Sequence, residues 1–183
     1  ATAKYFWVVC ALFVGQVLLG IVTAHYAVEG QGLYGLPFAE YLPYTITRTW
    51  HTQLAVLWIA TAWLATGLYV APMLGGRDPK FQRLGVNFLF VSLLVIVIGS
   101  FAGQWAAVHR FFTSLTANFW FGHQGYEYVD LGRFWQIYLL IGLFLWVALV
   151  VRALWPVLRR EGGKSLIYLV LASALAIGLL YGA

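Results

Sequence analysis

The chain has 183 residues, 62% of them hydrophobic and only 9% charged, with a mean hydropathy of +0.82. That composition excludes an ordinary soluble domain and describes an integral membrane protein. The net charge of +5 and pI near 9.5 would suit nucleic acid, but the basic residues lie in short groups between apolar tracts, which excludes that partner.

Charged residues divide the sequence into long uncharged tracts, 5–28, 49–76, 84–109, 134–151 and 165–183. A helix needs about 20 apolar residues to cross the hydrocarbon core, and lipid forces the backbone to satisfy its own hydrogen bonds. Barrel strands would be shorter and would alternate. The tracts therefore predict an all-α, polytopic membrane bundle of five transmembrane helices. These lie near 5–25, 46–74, 84–108, 132–154 and 164–183, with outer loops 26–45 and 109–131.

The first helix follows Lys4 and holds Cys10, the single cysteine, which has no internal partner for a disulfide and reads as packing. It ends in the polar HYAVEG rather than in small residues, unlike a cleaved signal peptide. A loop rich in glycine and aromatics follows. The second helix carries Arg48 and His51, three apart and so on one face. Below His51 on that face run Leu54, Ala55, Trp58, Ala62, Ala65 and Thr66. Small residues beside an imidazole leave room for a flat macrocycle, and haem needs an axial imidazole with apolar walls. Arg48 is placed to meet its propionates at the interface. The alternative is a histidine that caps the helix at the membrane surface. A bis-histidine haem needs a second imidazole, and His109 and His123 both lie outside the helices, on the outer side.

Residues 75–79, GGRDP, read as a turn. The third helix contains GSFAG at 99–103, a GxxxG spacing that lets a neighbour approach closely. The outer segment FFTSLTANFWFGHQGYEYVDLGRFWQ is dense in aromatics, as an interfacial belt would be. The fourth helix is expected to stop at Pro156, and the fifth starts near 164.

Arg77, Lys80 and Arg83 share one loop, and Arg152, Arg159, Arg160 and Lys164 another. The alternate loops carry only Arg48, Arg110 and Arg133, near helix ends. By the positive-inside rule, loops 75–84 and 152–164 and the N-terminus are expected in the cytoplasm. The chain begins with Ala, has Met73 as its one methionine and stops inside an apolar tract, so further helices are expected to follow.

Three stretches, HYAVEGQGLYG (25–35), TRTWHTQLAVLWIATAWLATGLYVAP (47–72) and FGHQGYEYVDLGRFWQIYLLIGL (121–143), together resemble the catalytic subunit of bacterial nitric oxide reductases in the haem–copper oxidase superfamily. Within it they are most similar to the quinol-dependent, single-chain form. The resemblance covers essentially the whole chain. It implies that His51 is an axial ligand of the low-spin haem b, with the partner imidazole on a later helix. It also implies that haem b3 and the non-haem iron lie on later helices of the same enzyme. This part would then hold the electron-entry half and would not reduce nitric oxide alone.

The resemblance implies a calcium ligand in Glu127 and an acid of the outer proton route in Asp130. Calcium takes hard oxygen ligands; the plain alternative is a solvated pair capping the fourth helix. It further implies a quinol site at His25 and Glu29, four apart at the outer end of the first helix. Quinol oxidation releases protons that a histidine–carboxylate pair can accept. Where some relatives carry Phe, four residues on, this chain has Leu33. The earlier helix and outer cytochrome c-like domain of the quinol-dependent form are not visible. The implied setting is the bacterial inner membrane. Competing readings are an oxygen-reducing relative or a b-type cytochrome, and a cofactor-free transporter or assembly protein packed through GxxxG.

Overall fold

The computed structural model describes residues 1–32, 35–125 and 130–159, together with 165, 168, 169, 171–173, 175 and 176. It contains α1 (Ala3–Glu29), α2 (Phe38–Tyr41), α3 (Tyr44–Gly75), α4 (Gln82–Val108), α5 (Leu115–Phe121) and α6 (Arg133–Leu158), with no strand among the described residues. Four of these helices, α1, α3, α4 and α6, are long and apolar enough to cross a membrane. The expected fifth span, 164–183, lies largely outside the described residues, and those of its residues that are described are helical.

The helices overrun the apolar tracts that predict them. α1 passes His25 and ends only at Glu29, where Gly30 at φ 83° donates its N–H to the Tyr26 carbonyl. HYAVE is thus the last turn of a helix and not the start of a loop. Backbone hydrogen bonding continues into the interfacial region, where polar side chains meet water at no cost to the helix. α6 likewise runs through Pro156 to Leu158. Proline removes one N–H donor but does not end a membrane helix whose neighbours compensate; Pro72 sits inside α3 in the same way. The loop between α1 and α3 is shorter than expected and contains the short helix α2, while that between α4 and α6 keeps its expected extent and contains α5.

Packing follows heptad-like seams. The buried residues of α1 are Tyr5, Leu12 and Tyr26, multiples of seven apart. On α4 they are Gln82, Val86, Leu89, Leu93, Ile96, Ser100 and Gln104, alternating four and three until the last step. Such spacing keeps one seam facing a partner along the length of a helix. α3 is central: α1 covers one side of it and α6 the other, while α4 packs chiefly on α6. The main core joins Ala65 and Leu68 of α3, Leu89 and Leu93 of α4, and Trp146 and Ala153 of α6.

Glycines set the closest approaches. A Cβ at Gly67 would stand 2.7 Å from the Trp146 indole, whose Nε1 donates to the Leu64 carbonyl at 3.2 Å. In the GxxxG pair, Gly99 faces the Trp135 ring and Gly103 the Phe121 carbonyl. Near the start of α1, the Tyr5 hydroxyl donates to the Val86 carbonyl at 2.6 Å. Lys4 Nζ donates to Asn87 Oδ1 at 2.7 Å and sits over the Phe90 ring. Large apolar side chains such as Leu18, Ile21, Phe88, Ile98 and Phe144 point outward, as lipid permits.

Candidate functional site

His51 lies about two turns into α3. Its Nδ1 is 2.8 Å from the backbone carbonyl oxygen of Gln16 on α1. A carbonyl only accepts, so Nδ1 carries the proton and Nε2 keeps its lone pair. Metal-binding histidines use this arrangement: one ring nitrogen donates to a carbonyl, and the other is left for the metal. Gly20, one turn along α1 from Gln16 and on the same face, makes the approach possible. A Cβ there would lie 2.7 Å from His51 Cε1 and 2.9 Å from Nδ1.

The stripe below His51 divides. Leu54 is buried with Leu12 and Leu57, and the Trp58 ring stands edge-on to Phe13 at 5.6 Å. Ala65 is fully buried. These residues meet neighbouring helices. Ala55 and Ala62 remain half-buried and Thr66 exposed, with the Thr66 hydroxyl turned back to the Ala62 carbonyl at 2.8 Å. That flank presents only small side chains. A fixed tautomer, a glycine cradle and a small-residue flank together fit a haem ligated by His51. Arg48 is half-buried one turn nearer the start of α3, its carbonyl accepting from the Thr52 hydroxyl at 3.2 Å.

At the C-terminal end of α1, His25 Nε2 and Glu29 Oε2 are 3.2 Å apart. The histidine side chain is 12% exposed and the carboxylate 61%, so the pair runs from the protein interior to its surface. Gln31 Oε1 accepts from the Tyr44 N–H at 3.1 Å and closes the base of the loop. Leu33 lies outside the described residues.

Asp130 is exposed and lines a cavity of about 290 Å³ with Thr52, Gln53, Ser100 and Gln136, between α3, α4 and the start of α6. Glu127 lies outside the described residues. Just before it in sequence, Asn118 Nδ2 donates to the His123 carbonyl at 3.3 Å. Asn118 Oδ1 and His123 Nδ1 are buried without a hydrogen-bond partner among the described residues. Asn118 Oδ1 is a hard oxygen of the kind calcium accepts. No group of three or more His, Cys, Asp and Glu residues suited to a metal ion occurs among the described residues. A larger cavity of about 360 Å³, lined by Ile59, Trp63, Leu143 and Trp146, is apolar. It opens on the side of α3 turned away from His51.

Gln16 and Gly20 escape a reading of the sequence. The group that matters on Gln16 is its carbonyl, which every residue has, and glycine is common in membrane helices.

The fold and the site define a polytopic helical membrane protein whose long helix α3 carries an imidazole bonded to the backbone of α1. The cytochrome c and quinol oxidase polypeptide I family matches residues 1–183, and the chain belongs to that family, the haem–copper oxidase subunit I. Members of this family generally bind haem. The chain is also similar to a subunit of the nitric oxide reductase of Stutzerimonas stutzeri, 30% identical over 92 residues that make up 50% of this chain and 18% of that protein. The match thus spans less than a fifth of that relative's length.

Proposed function

We propose that this chain is the electron-entry part of a quinol-dependent nitric oxide reductase, the complete protein converting 2 NO, 2 e⁻ and 2 H⁺ to N₂O and H₂O. The observation that carries the reading is the Nδ1 to Gln16 carbonyl contact at 2.8 Å, which leaves Nε2 of His51 free to ligate the low-spin haem b. When bound, that haem supplies one-electron transfer. Arg48, one turn toward the outer surface, offers a cation to its propionates.

His25 and Glu29 receive the quinol headgroup. Each quinol hydroxyl must lose a proton as electrons leave, and the half-buried imidazole takes it and passes it to the exposed carboxylate. Asp130, lining its cavity beside Thr52, Gln53 and Gln136, belongs to the outer proton route. Glu127 contributes to a calcium site beside the propionates. The second axial imidazole, haem b3 and the non-haem iron belong to further helices of the same enzyme. The grouping of basic residues supports a bacterial inner-membrane setting with a cytoplasmic N-terminus. Family membership argues against a cofactor-free transporter or assembly protein.

The test is a reduced-minus-oxidised visible spectrum of the intact protein, wild type against His51→Ala. Loss of the low-spin b-type bands at unchanged protein level supports the assignment. Bands that survive intact make His51 an interfacial histidine and remove the basis of the reading.

A further inference from the structure

We propose that the basic end of the bundle, where the turn between α3 and α4 docks on α6, binds the headgroup of an anionic phospholipid. Contacts place four helix termini at this end. The Tyr5 hydroxyl, near the start of α1, meets the Val86 carbonyl near the start of α4. A Cβ at Gly75, the last residue of α3, would run into the Ala153 carbonyl of α6. Among the described residues this end holds Lys4, Arg77, Lys80, Arg83, Arg152 and Arg159 against the single acid Asp78. The opposite end sets Arg48, Arg110 and Arg133 against Glu29, Glu40 and Asp130, and with neutral histidines these cancel.

The cations are gathered by bonds. Nη2 of Arg152 donates to the Lys80 carbonyl at 2.7 Å and to Gln82 Oε1 at 3.2 Å. Gln82 is buried, and its Nε2 donates to the Leu149 carbonyl. The turn that carries Arg77, Lys80 and Arg83 is thereby fastened to the helix that carries Arg152 and Arg159. Only one nitrogen of the Arg152 guanidinium is used, out of a fork with five N–H donors. Arg77, Lys80 and Arg83 are exposed, and their side chains make no hydrogen bond or ion pair among the described residues. Asp78 is in salt-bridge contact with none of them.

The location selects the ligand. These residues stand at the ends of helices long and apolar enough to cross a membrane, the depth at which lipid phosphates lie. Apolar rings are interleaved with the charges. Phe81, held at φ 61°, is 75% exposed, and the Arg159 guanidinium lies 5.1 Å over the exposed Trp155 ring. A phospholipid offers phosphate to the cations and its glycerol and acyl region to the rings; a soluble polyanion would leave the rings in water. A zwitterionic headgroup brings a cation of its own to the patch, so the class selected carries net negative charge.

The experiment is native mass spectrometry of the intact protein, released from micelles that contain equimolar phosphatidylglycerol and phosphatidylcholine. It depends on neither haem nor turnover. Wild type should retain phosphatidylglycerol in preference. A cation near the membrane surface strengthens such attraction roughly fivefold, so Arg77→Gln combined with Arg83→Gln should weaken retention about 25-fold. Either single variant carries the test, at about fivefold, if the pair does not fold. Arg110→Gln combined with Arg133→Gln, at the opposite end, should retain the lipid as wild type does. Equal retention of the two lipids by wild type, or undiminished retention in the Arg77 and Arg83 variants, overturns the proposal. Displacement of the lipid by glycerol 3-phosphate also overturns it, by making this a site for soluble phosphate.

Discussion

His51 Nδ1 lies 2.8 Å from the backbone carbonyl of Gln16, so the first span of the bundle holds the imidazole of the second. The contact sets the tautomer, and Gly20 sets the distance.

Gly20→Val should therefore disturb the histidine without removing it. A Cβ at this position collides with the ring at 2.7 Å. Loss of an orienting partner typically weakens metal binding by roughly 10- to 100-fold, so with His51 as the proposed haem ligand, haem per protein should fall sharply in a quantitative haem spectrum. Gly15→Ala is the control: its Cβ meets only Leu54 Cδ1 at an ordinary 3.5 Å. Equal haem content in the two variants would show that the cradle does not position the ligand.

Glu29→Gln removes the exposed member of the His25–Glu29 pair, 3.2 Å from its partner. If the pair accepts protons from quinol, quinol-driven turnover should fall by about 100-fold or more. Turnover with an artificial donor that bypasses quinol should be unchanged. A parallel loss with both donors would make the pair structural.

Trp50 Nε1 donates to Gln104 Oε1 at 2.9 Å, tying α3 to a fully buried side chain of α4. Hydrogen bonds between membrane helices contribute roughly 0.6 kcal/mol on average and up to about 2. Trp50→Phe keeps the stacking against Phe101. It should lower the thermal midpoint in detergent by a few degrees and leave the visible spectrum intact.

Gly99→Leu would drive a side chain into the Trp135 ring. Overpacking of this kind costs about 1–3 kcal/mol. Gly142, where an added Cβ meets nothing within 4 Å, should behave oppositely. Gly142→Ala should stabilise its helix by about 0.5–1 kcal/mol. Thermal unfolding of the two variants side by side separates helix propensity from close packing.

Much of this protein is legible in its sequence because lipid is an unforgiving solvent. The tracts 5–28, 49–76, 84–109 and 134–151 find their helices in α1, α3, α4 and α6, since a long uncharged stretch has no other way to satisfy its backbone in a membrane. His51 stands out for the same reason: an ionisable group inside a span is costly and so draws attention. Helix ends are harder to read. Nothing in composition shows that α1 reaches Glu29 or that α6 passes Pro156, because the interfacial zone tolerates polar residues and membrane packing tolerates proline.

Residue order alone dictates the class, the spans and the identity of the candidate ligand. Which way that ligand faces is settled only by packing. In a soluble helix the apolar stripe marks the buried side, but a membrane helix is apolar all round and its sequence does not distinguish lipid from neighbour. Leu54 and Trp58 turn against α1 while Ala55 and Ala62 stay half-open. The carbonyl of Gln16, the missing side chain of Gly20 and the Glu40 carbonyl that receives His109 are features of backbone placement, and placement exists only once the helices have packed.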